Sequence, residues 1–562
     1  MGVDGPRRAL FPAALLVAAL LPFAAIPPLV TTPWFALTDD KLVLLTLIAA
    51  WALLGKRAIP SPAEWRTLLP SLVFVLVTLV SARLAAAEYA DEALRYALRL
   101  LAAAFVMLVV LRLGETPGRT NSLLWAIVIG GGASALLGVG ESLQWAFAQP
   151  VLSLFKVAPT RVGGELRVGA SFQYATIASM YFEMVAPLAI TLAATARGRT
   201  AQFLGIAIAV VCTANVVLSL TRAGMLTLGV VYAMLLFAAF RIDVRRILVP
   251  TLLSAGVLLG GVGLLFWHDQ VFDLRLITES DADWYGAKYT APAALTLQAN
   301  QTAKIDLDVR NEGRITWTTS GDHPFALGYR WLTNDGDGVL DLPPAEVPLP
   351  RDIPPGDNIH LLATVNVPDL PSGSYRLDWG MLQRDVLQFY ERGWTDAQTK
   401  VSVDTAAPGA TMPAITERDD AEAPWVVGRL DLWSAAVKLF AAHPLLGVGP
   451  DNFRHYYGAE FGLEGWDERV QANNLYLEIL ADLGIVGLLA FLGVIVGPIR
   501  SIIRTLRTQD EAYIALGVAV SAGAFLLHGL LDSFLAFTPT ALVLWMLLAI
   551  SARAQKPQVS GR

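Results

Sequence analysis

Residues 471–497 read QANNLYLEILADLGIVGLLAFLGVIVG, a polar opening at Gln471, Asn473 and Asn474 that gives way after Asp482 to an unbroken apolar run. About 20 apolar residues in a helix cross a hydrocarbon core. A helix is the shape such a run takes there, because it satisfies every backbone polar group internally. The same reading applied outward gives spans at 9–31, 40–55, 67–84, 93–113, 122–147, 174–195, 202–220, 223–240, 247–267, 484–503, 512–531 and 535–551. The whole chain agrees: 55% of its 562 residues are hydrophobic and 16% are charged, against roughly 25% charged in a soluble domain.

Lysine and arginine in short loops mark the cytoplasmic side. Arg7, Arg8, Lys56, Arg57, Arg66, Arg112, Arg119, Arg197, Arg199, Arg241, Arg245, Arg246, Arg500, Arg504, Arg507, Arg553 and Lys556 fall on alternate connections. The expected fold is therefore an all-α polytopic inner-membrane protein of about 12 transmembrane helices with both termini cytoplasmic. The first span reads as an uncleaved signal anchor. The membrane domain occupies 1–267 and 484–562, and the extracytoplasmic face carries 148–173, the junction at Thr221 and Arg222, and 268–483. A net charge of −6 and the lack of clustered basic surface argue against nucleic acid. The single cysteine, Cys212, lies in an apolar run and reads as a buried hydrophobe.

Within the external loop at 268–426 the pattern changes at about 290–405 to period-two alternation. Ile305, Leu307 and Val309 alternate with Asp306, Asp308 and Arg310, and Asn311 with Gly313 supplies a turn. Ile359, Leu361, Ala363, Val365 and Val367 share one face, and Pro371, Ser372 and Gly373 turn the chain into Tyr375, Leu377 and Trp379. The pattern predicts an inserted all-β, sandwich-like extracytoplasmic domain, antiparallel, with one face buried and one wet. The stretch RNEGRITW at 310–317 resembles bacterial immunoglobulin-like modules. This domain is expected to bind glycan, a partner or nothing. Asn334, Asp335, Asp337 and Asp341 lack the spacing of a calcium loop and read as a solvated turn, so no metal is assigned.

Region 427–483 is expected to hold the working parts. In GRLDLWSAAVKLFAAHPLLGVGPDNF, 428–453, Leu430, Trp433, Val437 and Phe440 recur at helical spacing and predict an amphipathic helix on the membrane surface. The glycines and prolines that follow make a tight turn whose amides suit either an anion or the turn itself. Asn474, Glu478 and Asp482 then line one helical face.

The order R…W…A…HPLLGVGPDNF…NNLYLEILADLGIVGLLAF resembles the O-antigen ligases and related polysaccharide polymerases. RVGASFQYATIASMYFEMVAPLAI at 167–190 and LSLTRAGMLTLGV at 218–230 resemble two further pieces of that family. The resemblance implies an undecaprenyl pyrophosphate-linked glycan as donor. It also implies an acceptor hydroxyl on a lipid, glycan or protein, inversion at the anomeric carbon, and no metal, nucleotide sugar or other cofactor. By family position Arg222 and Arg429 are the pyrophosphate clamps, a role that suits the bidentate guanidinium. The other readings are a headgroup anchor for Arg222 and a surface ion pair for Arg429. Arg167, for which Arg161 is a substitute, is a candidate donor or acceptor contact, and Asn474, Asp451 and Arg454 are candidate substrate contacts.

Asn473 stands where the ligases carry a histidine. Its amide cannot act as a general base near neutral pH. It is left to bind sugar hydroxyls or to cap the following helix, and Glu478 becomes the candidate base unless its face is a solvated stripe. His443 and His455 read as turn residues. The expected function is ligase-like glycan transfer. The alternatives are a polymerase of the same superfamily, a flippase or transporter with polar groups at mid-membrane, and a catalytically silent glycan-binding homologue.

Overall fold

The computed structural model describes residues 5–23, 30–32, 35–37, 61–113, 116–240, 244–268, 270–278, 281–343, 345–394, 396–404, 412–417, 427–463, 465–505, 512–535 and 537–553. The helices in chain order are α1 (Gly5–Leu20), α2 (Pro62–Leu84), α3 (Ala90–Leu113), α4 (Pro117–Ser142), α5 (Ala148–Leu152), α6 (Ala175–Thr195), α7 (Arg199–Leu218), α8 (Arg222–Ala239), α9 (Val244–His268), α10 (Gln270–Ile277), α11 (Arg429–Ala442), α12 (Phe453–Tyr456), α13 (Leu475–Thr505), α14 (Ala512–His528) and α15 (Thr538–Arg553). Among the described residues eight are long and apolar enough to cross a membrane, namely α2, α3, α4, α6, α7, α8, α9 and α13, while α1, α14 and α15 are shorter apolar helices. The expected span at 40–55 lies outside the described residues. The expected span at 9–31 is shorter than the sequence suggested: α1 ends at Leu20, before Pro22, Pro27 and Pro28, which lack the amides a helix needs.

Local chemistry sets the helix starts. Ser61 accepts the Glu64 amide and the Glu64 carboxylate returns to the Ser61 amide, a capping box with Pro62 at the first helical position. Thr116 caps α4 by accepting the Arg119 amide, ahead of Pro117. The membrane core gathers around α6, which is buried along its length.

The inserted region forms two sheets. Strands β5 (Ala287–Thr290), β7 (Thr302–Asn311) and β11 (Asn358–Asn366) make the smaller in the order β11-β7-β5. The larger holds β6 (Ala294–Gln298), β8 (Phe325–Leu332), β9 (Gly338–Leu340), β10 (Ala345–Pro348), β12 (Gly373–Gln383), β13 (Leu387–Gln388), β14 (Ala397–Asp404) and β15 (Ile415–Glu417). Ile305, Leu307 and Val309 face Ile359, Leu361, Ala363, Val365, Trp331, Leu377 and Trp379 in one shared core, as the alternation predicts. Two expectations need correction. Strand β14 pairs β6 in parallel, so the domain is not wholly antiparallel. The central strands β8 and β12 are buried on both faces, because Tyr390 and Asp396 close over Arg330 on their outer side. At the acidic turn the Asp335 carboxylate accepts the Thr333 hydroxyl and the Asp337 amide, so the residues form a turn.

Candidate functional site

Four chain segments that carry arginine meet at one end of the helical layer. Two short strands, β3 (Thr160–Val162) and β4 (Glu165–Arg167), form a hairpin pinned from below by Glu141. That carboxylate pairs with buried Lys156 and accepts the amides of Gly169 and Ala170. Arg167 at the hairpin's end donates from Nε to the Ser219 carbonyl at 3.0 Å and from Nη2 to Thr221 Oγ1 at 3.3 Å. It thereby reaches the α7–α8 junction, where Leu220 has φ 51°. Arg222, the first residue of α8, donates from Nη1 to the carbonyls of Arg275 and Thr278, the latter at 2.9 Å. These are terminal carbonyls of α10, the negative end of a helix, where a cation is favoured.

Arg275 is the third guanidinium. Burial and the neighbouring charges of Arg167, Arg222 and Arg429 push it down to about 9, against the pull of Asp281. Arg167 is pushed down to about 10 by burial, with Arg222 adding to the effect and Asp532 opposing it. Guanidiniums keep their protons at neutral pH. The downward push comes first from burial, and the neighbouring guanidiniums add to it, so an incoming anion would favour the charged forms. Arg429, the first residue of α11, lies within electrostatic range of Arg275 and Asp532.

Helix α11 packs through Leu432, Ala435, Ala436 and Leu439. Of the stripe expected to lie on the membrane surface, Leu430 and Val437 are exposed, the placement such a helix requires. Trp433, one turn after Arg429, donates from Nε1 to the Asn473 carbonyl at 3.4 Å, which brings the start of α13 beside the arginines. Asn473 has φ 50° and is not the cap. The cap is Asn474, whose Oδ1 accepts the amides of Tyr476 and Leu477 at 3.0 and 3.1 Å. A left-handed Asn473 directs the chain so that the next side chain reaches the helix start.

Asn474, Glu478 and Asp482 do share a face, but it is buried, not solvated. Glu478 accepts the Ser533 hydroxyl at 3.0 Å and the Ala472 amide at 3.3 Å. Asp482 accepts the amides of Asp451 and Phe453, both at 2.8 Å. Those amides are thus spent inside the protein, and the HPLLGVGPDNF segment is a structural turn clasped to α13. Asp451 and Arg454 belong to a separate ion network with Glu92, His455 and Glu468 and do not join the arginines. Burial pushes the Asp451 carboxyl up. Arg161 is spent within its hairpin on the Gly164 carbonyl.

Sequence reasoning passed over four residues here: Arg275, Asp532, His528 and Glu183. Asp532 is half-buried on the α14–α15 connection, where Gly529 accepts the Leu475 amide and Leu530 accepts the Asn474 side chain. His528 Nδ1 lies 2.8 Å from Glu183 Oε2, both side chains fully buried. Glu183 sits near the middle of α6, so a polar pair lies within the helical layer, contrary to expectation. A signal existed, since an ionisable residue inside an apolar run is costly unless paired or functional. The same cost bears on Arg222, which interrupts two apolar runs, and equally on Glu183 and His528.

Residues 386–492 match the model of a family described as O-antigen ligase. That segment of the chain is similar to the O-antigen ligase family. The matched segment runs from the last strands of the β domain through α11 and the clasped turn into α13, so it contains Arg429 and Asn473. The inserted β domain is not identified as immunoglobulin-like by this match. No curated protein matches the chain. Among solved structures, the alkylpurine DNA glycosylase AlkC of Pseudomonas fluorescens, bound to DNA containing an abasic site analog, aligns at 10% identity over 61% of this chain and 100% of its own, with a TM-score of 0.15. A likeness that loose carries no argument.

Proposed function

We propose that this protein transfers a glycan from undecaprenyl pyrophosphate to an acceptor hydroxyl at the extracytoplasmic face of the inner membrane. The observation that carries the reading is that Arg167, Arg222 and Arg429, from three other segments, all lie within electrostatic range of Arg275, with Asp532 in range of Arg167 and Arg429 and Asp281 in range of Arg275. Gathering like charges costs energy in the free protein, and a site arranged this way favours an anion with several oxygens. A pyrophosphate leaving group develops such charge as its bond to the anomeric carbon breaks, so guanidiniums already in place stabilise the transition state. In this reading Arg222 and Arg429 are the clamps, Arg167 and Arg275 complete the positive wall, and Asn473 and Asn474 flank the acceptor side. Inversion at the anomeric carbon follows from a single displacement without a covalent intermediate.

The polymerase reading differs in the acceptor alone, a second lipid-linked glycan. Asn473 in place of the ligase histidine favours keeping it. Purified protein in detergent, supplied with an undecaprenyl pyrophosphate glycan and with products separated as polymer or acceptor conjugate, distinguishes the two. Arg222→Ala and Arg429→Ala are each expected to lower turnover by about a hundredfold, the usual effect of removing one preorganised charge-stabilising donor. Wild-type rates in both variants would overturn the clamp assignment.

A further inference from the structure

We propose that His528 is the group that takes the acceptor's proton, and that Glu183 orients it. The inference rests on the transfer reading above and supplies what Asn473 lacks.

The geometry fixes the tautomer. Glu183 is fully buried and both its oxygens are occupied, Oε1 by the Ser179 hydroxyl at 2.7 Å and Oε2 by His528 Nδ1 at 2.8 Å. A carboxylate accepts, so Nδ1 bears the hydrogen and Nε2 of the neutral imidazole presents its lone pair. Nε2 is enclosed and has no hydrogen-bond partner among the described residues. Burying an unmet acceptor is unfavourable, and a structural histidine would be expected to satisfy both nitrogens. The carboxylate side of the pair is closely packed. At Gly224, two residues into α8 from Arg222, a Cβ would fall 2.0 Å from Ser179 Oγ and 2.6 Å from Glu183 Oε1, so the helix that begins with Arg222 lies directly against Glu183 and Ser179.

Position connects this dyad to the arginines and to Asn473. His528 ends α14, and its carbonyl accepts the amides of Leu531 and Asp532. The adjoining Gly529 and Leu530 hold Leu475 and Asn474, next to Asn473. Phe534 packs edge-on against the imidazole at 5.0 Å, so the 529–534 segment must move aside for the acceptor to reach Nε2.

The step balances without a co-reactant. The acceptor oxygen forms its bond to the anomeric carbon while the bond from that carbon to the pyrophosphate oxygen breaks, and its electron pair leaves with undecaprenyl pyrophosphate. The hydroxyl proton passes to His528 Nε2, and the imidazolium is stabilised by Glu183 until it returns the proton to water. Glu183 touches no reacting atom and is a positioning residue.

The test uses the full chain in detergent with an undecaprenyl pyrophosphate glycan, comparing wild type with His528→Ala, His528→Gln and Glu183→Gln. Both His528 variants are expected to lose at least about a hundredfold in kcat, within the range for general acid–base catalysis, while donor binding persists. Free imidazole should restore part of the rate to His528→Ala alone, and Glu183→Gln should lower kcat with the donor KM unchanged. Wild-type turnover in His528→Gln overturns the proposal. So does a loss in His528→Ala that imidazole leaves untouched and that donor binding shares, because the pair would then merely join α6 to α14. If Arg222→Ala and Arg429→Ala are active while His528→Gln is dead, the clamp assignment falls and the proton acceptor stands. An inactive wild type sinks both.

Discussion

Asp532 shows how one residue sets the charge state of the site. Burial raises its carboxyl, while His528, Arg429 and Arg167 pull it back down. A raised value means that the folded protein holds this proton more tightly than the unfolded chain, so the group favours folding increasingly as pH falls through that value and loses this contribution as pH rises. Anion binding has the same sign, because neutralising Asp532 removes a negative charge that faces Arg167 and Arg429. Inorganic pyrophosphate gains protons as pH falls in wild type and variant alike, so the Asp532 contribution reads as the difference in affinity from Asp532→Asn, which should shrink as pH falls toward the ordinary carboxylate value of about 4. Asp532→Asn should bind more tightly than wild type at neutral pH, as titration calorimetry would read. Weaker binding in the variant would mean that Asp532 supports the anion. Asn474 is a simpler case: its cap predicts a loss of about 1 kcal/mol in Asn474→Ala, measured by thermal melting.

At the level of the element, α13 is where the sequence's candidate chemistry turns into architecture. The helix bends at Gly484, which has φ 65° and ψ −168°, and the turn at 443–449 nests in the bend. A Cβ at Gly484 would lie 2.3 Å from the Leu445 carbonyl carbon, and one at Gly447 2.2 Å from that of Asp482. Ser81 of α2 closes the clasp by donating to the carbonyls of Leu446 and Asp482 at 2.7 and 3.1 Å. Gly484→Ala should cost at least about 1–3 kcal/mol for the left-handed conformation alone, with the overlap in addition. Asp482→Asn is expected to lower stability by about 1–3 kcal/mol by depriving a buried amide of its acceptor. Glu478→Gln should likewise lower the melting temperature while sparing turnover. If instead it abolishes turnover at an unchanged melting temperature, Glu478 is the base and His528 is not.

Across the whole molecule, the β domain does more than hang from a loop. Val271 and Leu274 of α10 belong to its core, and Trp284 donates from Nε1 to Thr278 Oγ1 at 2.8 Å. Gln383 of β12 donates to the Gly163 carbonyl in the Arg167 hairpin at 3.3 Å. The domain thus fixes both the carbonyls that hold Arg222 and the hairpin that carries Arg167. Trp284→Ala should cost about 3–5 kcal/mol and weaken pyrophosphate binding. Trp331→Ala, equally enclosed in the same core, should cost stability without weakening the anion site. Equal effects on binding would show that general loosening, not the α10 joint, is responsible.

The apolar runs determined by themselves that this is a helical membrane chain, because span length and backbone satisfaction are local requirements that each segment meets alone. Period-two alternation fixed the inserted β domain on the same ground, down to the inward face of Ile305, Leu307 and Val309. Arg222, Arg167 and Arg429 were legible as residue types in costly or suggestive places. Their convergence was not legible, since it depends on four segments separated by up to some 260 residues meeting at one end of the helical layer. Neither was the fate of Glu478, Asp482 and Asp451: helical spacing places side chains on one face but does not say what covers it. His528 and Glu183 are the clearest case. Each is a single charge in an apolar run, with its meaning supplied by a partner 345 positions away, and only the packing of α6 against α14 pairs one of those nitrogens and leaves the other open.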